Sequence, residues 1–236
     1  MNEIPPLAVI ARIRSDFPTK FGIPRQSGLV ESLRATVVFE PAYRNPDALR
    51  GLEEFSHIWL IWQFSEAVRP GWSPTVRPPR LGGNTRVGVF ATRSPFRPNE
   101  LGLSCVRLLG VEHTADCGAV LHVAGADLMD GTPIFDIKPY LPFVDSHPEA
   151  TGGFADRAKG YALAVRDPDG LLDSLPDEQR DALRGVLAHD PRPSYQDDPA
   201  RVYGMAFAGY EVRFTVADGA LTVRDLSCQT EENRVK

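Results

Sequence analysis

The chain has 236 residues, a net charge of −5 and 42% apolar residues, which is length enough to bury one large core or two small ones. Cys105, Cys117 and Cys228 are odd in number and lack C-x-x-C spacing, which excludes a disulfide framework and a cysteine zinc site and fits a reducing cytoplasm. No basic-then-apolar leader opens the sequence and no apolar run nears the roughly 20 residues of a membrane span, so neither secretion nor membrane insertion is expected.

Residues 1–143 read as mostly β. Candidate strands are 7–13 (LAVIARI), 34–40 (RATVVFE), 57–64 (HIWLIWQF), 86–92 (RVGVFAT), 104–111 (SCVRLLGV), 119–128 (AVLHVAGADL) and 133–139 (PIFDIKP). Short strands separated by Gly and Pro predict a barrel or sandwich. Between the second and third, NPDALRGLEEF predicts a helical turn, with Asn45 as cap, Pro46 at the first position and Gly51 as stop. His57, inside an apolar run, reads as a packed residue rather than a ligand, and the five histidines show no metal-ligand spacing. Residues 144–160 have the composition of a linker. Beyond it, 161–236 read as a small α+β unit. YALAVR (161–166) is a candidate strand, 174–190 a helix with Ser174 and Asp177 in capping-box spacing, and 210–226 a hairpin turning at Asp218-Gly219.

Charge is unevenly placed. From Arg69 to Arg107 there are seven arginines (69, 77, 80, 86, 93, 97, 107) against one acid, Glu100. Arg presents a planar donor fork suited to phosphate and carboxylate. Within this stretch, RSPFRPN places Arg93 and Arg97 beside Pro95 and Pro98. Each proline fixes its own φ and restrains the residue before it, so the turn is either an anion clamp at a strand end or a rigid barrel corner. DLMDGTPIFDIKPYLP (127–142) is a second proline-flanked turn, with Asp127, Asp130, Asp136, Lys138 and Tyr140; ordinary turn chemistry explains it equally well. GIPRQSGLV (22–30) sets Arg25, Gln26 and Ser27 between glycines, and Gln26 carries both the donor and the acceptor that an adenine edge needs. There is no G-x-G-x-x-G, Walker A, G-x-S-x-G or H-E-x-x-H motif.

FATRSPFRPNELGLS, DGTPIFDIKPYLPF, RGLEEFSHIWLI, PTVRPPRLGGN and AHDPRPSY together strongly resemble the TsaA-like (YaeB/VirR, TrmO) family, over nearly the whole chain. The resemblance implies a non-Rossmann methyltransferase with a mainly β N-terminal barrel that binds S-adenosylmethionine, and a C-terminal α+β domain facing tRNA. It implies methylation of N6 of N6-threonylcarbamoyladenosine, beside the anticodon of threonine tRNA, by a homodimer with the cofactor near the subunit interface. Carried onto this sequence, the cofactor contacts fall on Arg25, Gln26, Ser27, Ser65, Glu66, Arg93, Leu103, Ala124, Gly125, Ala126 and Asp127. Asp190, Arg192 and Tyr195 of the DPRPSY stretch face the site or the tRNA. The N6 lone pair is conjugated, so a group that takes its proton helps; Asp127, Asp136 and Tyr140 are the candidates. Arg97, with Lys138 as runner-up, is the candidate cation for the threonyl carboxylate. No metal is expected. The residues alone also leave open a non-enzymatic RNA-binding barrel and a methyltransferase acting on a small metabolite.

Overall fold

Apolar side chains at every second position close the N-terminal strands into a barrel. In the computed structural model, which describes residues 6–78, 85–158, 160–192, 196 and 198–229, the strands are β1 (Ala11–Ser15), β2 (Arg34–Phe39), β3 (His57–Gln63), β4 (Thr75–Val76), β5 (Val87–Gly88), β6 (Leu101–Thr114), β7 (Gly118–Ala124) and β8 (Pro133–Pro139). Six of them form a closed barrel in the order β1-β2-β7-β6-β3-β8, while β4 and β5 pair as a separate small arm. Within β3, Ile58, Leu60 and Trp62 are buried and the residues between them only partly so, the period-2 signature of a strand with one face inward. Ile13, Val37, Leu121, Val123 and Ile134 complete the fill from the neighbouring strands.

The chain continues through α1 (Pro142–Asp145), a 3₁₀ turn at Gly153–Ala158, β9 (Ala164–Arg166), α2 (Asp177–Ala188), β10 (Tyr203–Phe207), β11 (Tyr210–Ala217) and β12 (Ala220–Cys228). A four-stranded sheet in the order β10-β11-β12-β9 packs on α2, which buries Ala182, Leu183, Val186 and Leu187. That core also takes Phe17, Val30 and Leu33 from the N-terminal part of the sequence, so the segment leaving β1 ties the barrel to the second sheet.

Several local expectations hold. Asn45 accepts the Asp47 N–H at 3.0 Å with Pro46 next, and Gly51 sits at φ 85°. The β11–β12 turn has Asp218 and Gly219 both at positive φ, as a two-residue hairpin of its twist requires. Others need correction. The predicted strand 86–92 stops at Gly88 and becomes a 3₁₀ turn, Val89–Ala91, because Val89 alone turns inward while Phe90 is left exposed. The expected capping box does not form. Asp167 accepts the N–H groups of Leu171 and Leu172, both at 3.0 Å, and the turn so nucleated takes the Ser174 hydroxyl onto the Leu171 carbonyl. The helix therefore starts after Pro176.

Candidate functional site

One end of the barrel opens into a cavity of about 570 Å³. Four separate segments build it. The loop after β1 brings Arg25 and Gln26; the end of β3 and its 3₁₀ turn bring Trp62, Phe64, Ser65 and Glu66; the proline loop and the start of β6 bring Arg93, Phe96, Arg97 and Leu103; the turn after β7 brings Asp127 and Met129.

The proline loop is held largely by itself. The Thr92 hydroxyl donates to the Val89 carbonyl at 2.8 Å, Ser94 N–H donates to the Thr92 hydroxyl at 3.2 Å, and Arg97 N–H donates to the Pro95 carbonyl at 2.9 Å. The guanidinium of Arg69 lies 3.8 Å from the centroid of the Phe96 ring. Arg97 reaches back to the Thr92 carbonyl at 3.4 Å, and Arg93 donates to the Gln26 amide oxygen across the cavity mouth. Both arginines of the RSPFRPN turn line the cavity.

Backbone contacts stitch the 25–28 loop to the segment after β7. Gly28 N–H donates to the Gly125 carbonyl at 2.9 Å, and Gly125 N–H to the Leu33 carbonyl at 3.0 Å. Gly125 has φ 74°, and a Cβ there would lie 3.3 Å from Gly28 Cα and N. Asp127 is a half-buried acid of the site. Desolvation raises its pKa, against the opposing effects of the Ser104 hydroxyl, its own backbone N–H, Arg93 and the Ser27 N–H.

Of the sequence-predicted site residues, Arg25, Gln26, Ser65, Glu66, Arg93, Arg97, Leu103 and Asp127 line this one cavity. Ser27 contributes its backbone N–H to Asp127. Ala124 and Ala126 are buried, and together with Gly125 they shape the wall rather than line it. Asp136 and Lys138 do not line it; they pair with each other at 3.0 Å on β8. Tyr140 lies against His57 and Trp59, with ring centroids 6.1 and 5.8 Å away. A register shift in β8 explains this: Ile61 pairs with Asp136 but Trp62 with Ile134, so Phe135 is an extra residue, and past it Ile137 takes the core side while Asp136 and Lys138 turn outward. His57 is half-buried, with the Ser56 hydroxyl 2.9 Å from its Nδ1.

In the C-terminal part, Arg192 grips Asp190 with two donors, Nε at 2.8 Å and one terminal nitrogen at 3.0 Å, and the Tyr161 hydroxyl donates to the same carboxylate at 3.1 Å. Burial opposes ionisation of Asp190, but the Arg192 fork outweighs it and the pKa is lowered. The Arg192 carbonyl accepts from Arg25 at 3.4 Å, which joins this cluster to the cavity rim. Tyr195 lies outside the described residues.

Three residues of the site were not singled out from sequence. Gly102, Ser104 and Trp62 sit at the β3–β6 contact below the cavity, where Trp62 pairs with Gly102 and Leu60 with Ser104. Their signal was in LGLSCV, where two small residues occupy successive inward positions of a strand and leave room for something large opposite.

Comparisons with known proteins match the same organisation. Residues 12–146 match the tRNA-methyltransferase O N-terminal domain, and 170–229 the TrmO C-terminal domain. The chain belongs to the TrmO family. A relative from Escherichia coli (strain K12), named tRNA (adenine(37)-N6)-methyltransferase, is 43% identical over 222 residues, covering 91% of this chain and 94% of that one. A Pseudomonas aeruginosa relative, 42% identical over 212 residues, covers 87% and 90%, and its name describes an S-adenosylmethionine-dependent methyltransferase. The crystal structure of TrmO from Pseudomonas aeruginosa superposes with a TM-score of 0.74 at 33% identity, over 95% of this chain and all of that one. The TrmO barrel accounts for the missing glycine-rich motif, because the site is built from strand ends and proline turns rather than from a Rossmann crossover.

Proposed function

We propose that this protein transfers a methyl group from S-adenosylmethionine to N6 of adenine 37 in tRNA, on a base that already carries a threonylcarbamoyl group, in threonine tRNA. The observation that carries this reading is the convergence of residues 25–26, 65–66, 93, 97, 103 and 127, far apart in sequence, on one cavity. Its volume, about 570 Å³, falls in the roughly 300–1,000 Å³ range of small-ligand sites. The donor set fits the cofactor. Trp62, Phe64, Phe96, Leu103 and Met129 offer apolar surface to a purine and an alkyl chain, Glu66 and Asp127 offer carboxylates to cationic groups, and Arg25 and Arg93 offer donors to a carboxylate.

S-adenosylmethionine, when bound, supplies a methyl group activated by a sulfonium. The chain must hold the acceptor amine in line, exclude water and take the proton that N6 loses. Of Asp127, Asp136 and Tyr140, only Asp127 lines the cavity, and the burial that raises its pKa makes it the better base. Arg97, restrained by its proline neighbours, serves as partner for the threonyl carboxylate. A site built around that cation leaves it unpaired when unmodified adenine enters, which discriminates strongly. Among the described residues, Arg69, Arg77, Arg86, Arg93, Arg97 and Arg107 make no ion pair, whereas Arg12, Arg50, Arg180, Arg184 and Arg192 do. A tRNA backbone supplies the missing anions. The Asp190–Arg192 element, tied to Arg25, faces the tRNA from the C-terminal side. A homodimer belongs to this reading, consistent with the half-exposed Leu103 on β6 beside the cavity.

The test is methyl transfer in vitro to threonine tRNA with and without the threonylcarbamoyl group, read by mass spectrometry of the nucleosides. Methylation of the modified tRNA at least about 100-fold faster is expected. Equal rates on both would remove the substrate reading, and absence of S-adenosylmethionine binding by calorimetry would remove the enzyme reading.

A further inference from the structure

At the floor of the cavity runs a row of three polar side chains, of which the reading above gives the first only an apolar role and the second none. The Trp62 indole N–H donates to Ser104 Oγ at 2.9 Å, and Ser104 Oγ donates to Asp127 Oδ1 at 2.6 Å. Trp62 is 6% exposed and Ser104 1%. The direction of this row follows from the donor inventory. An indole nitrogen can only donate, and a serine hydroxyl has one proton to give. Ser104 must therefore accept from Trp62, and its single proton goes to Asp127.

The indole is fixed in this role by packing. A Cβ on Gly102 would lie 2.3 Å from Trp62 Cε2, so the ring occupies the space that the glycine leaves. The Phe64 ring closes the arrangement, its centroid 4.3 Å from that of Trp62. A residue with a side chain at 102 would displace the indole and free the Ser104 hydroxyl to rotate.

We propose that Trp62 and Ser104 are positioning residues for methyl transfer: the clamped indole compels Ser104 to donate to Oδ1, which fixes the orientation of the Asp127 carboxylate and leaves Oδ2 to meet the ligand. This rests on the assignment of Asp127 to the transfer site. The Ser104 donation favours the anion and so works against the burial that raises the Asp127 pKa. Ser104 and the backbone N–H groups of Ser27 and Asp127 act on the carboxylate together with the Arg93 charge. Lys20, Arg25, Glu66 and Arg97 are the other charged residues lining the cavity.

The sequence has three tryptophans, so the intact, isotope-labelled protein gives three indole N–H signals, and Trp62→Phe identifies one of them. The Trp62 signal is expected to move with pH as Asp127 titrates, and to stop moving in Asp127→Asn and in Ser104→Ala. Ser104→Thr, which keeps the hydroxyl, is expected to restore the movement. The Trp59 indole, which donates to Asp145 at 3.1 Å, provides an internal control, because its titration persists in all these variants. In activity, Ser104→Ala is expected to move the acid limb of kcat/KM up by about one pH unit, roughly a tenfold loss below it, with the plateau far less affected. A purely structural role would lower the rate at every pH and leave the limb in place. A Trp62 signal that ignores pH in the unaltered protein, one that titrates without Ser104, or a limb that does not move overturns the proposal. Failure of the Asp127 assignment looks different: Asp127→Asn would then methylate at the native rate while the indole coupling in the unaltered protein stands.

Discussion

Asp190 occupies an unusual backbone position for an acid. Its φ is 52°, in the left-handed region, which Asp and Asn tolerate better than other non-glycine residues. The conformation turns the carboxylate back onto Arg192 two residues later, and both side chains are largely buried, at 14% and 10% exposed. Asp190→Asn keeps the shape and the backbone and removes only the charge. Taking one partner from a buried ion pair costs about 3 kcal/mol, or roughly 8 °C in Tm for a chain of this size. The pH dependence has a definite sign. Because the folded pKa of Asp190 is lowered from 3.8, its stabilisation is fully present above that value and is lost as pH falls through the folded pKa. The Tm difference between the unaltered protein and Asp190→Asn is therefore expected to be full from about pH 5 upward and to shrink as pH falls below about 4. Melting curves across that range check it; a difference that stays constant with pH would show that the ion pair does not stabilise the fold.

At the scale of elements, the site depends on two loops held at one separation by glycines. Gly125 and Gly219 have similar φ, 74° and 70°, but a Cβ on Gly125 would press on Gly28 while one on Gly219 would meet nothing within 4 Å. Alanine at either position incurs about 1 kcal/mol of backbone strain. Only Gly125→Ala also pushes the 25–28 loop off the segment that carries Asp127. Both variants are expected to melt a few degrees earlier, and only Gly125→Ala to bind S-adenosylmethionine about tenfold more weakly by calorimetry. Equal affinities would show that the spacing of these loops does not matter. The same elements show what the sequence made legible. Short runs bounded by Gly and Pro located β3 and β8 nearly to the residue, and the Asp218-Gly219 turn announced its hairpin, because these signals are local. β9 pairs parallel with β12 across more than 50 residues of sequence, and its pairing has no local signature. The 86–92 segment alternates like a strand yet turns at Val89, the one residue of that turn that is buried. The cavity followed the same division. The resemblance brought forward Arg25, Glu66, Arg93 and Asp127, but the Gly102–Trp62–Ser104 underlayer arises only where two strands meet in register.

The molecule as a whole carries a charge of −5, which by itself opposes binding to a polyanion. The arginine stretch reverses this locally. Arg69, Arg77 and Arg86 belong to the segment carrying the β4–β5 arm, lack ion-pair partners among the described residues and do not line the cavity. Their present contacts are weak substitutes for an anion: Arg69 lies over the Phe96 ring, and Arg86 donates to the Thr75 hydroxyl at 3.1 Å. Each phosphate these residues neutralise releases condensed counterions, so the logarithm of tRNA affinity falls with the logarithm of salt by about 0.7–0.9 per contact. If all three engage the tRNA, replacing them together with alanine reduces that slope by about 2 to 3. S-adenosylmethionine affinity should stay within about twofold of the unaltered protein's, because none of the three side chains lines the cavity, Arg69 reaches it only through the Phe96 ring on which it rests, and exposed charges are screened. Filter-binding titrations of threonine tRNA between 50 and 300 mM salt, paired with calorimetry of the cofactor, separate the two effects. An unchanged slope in the triple variant would remove the arm from the tRNA surface, and a parallel loss of cofactor affinity would show that the substitutions had altered the barrel mouth instead.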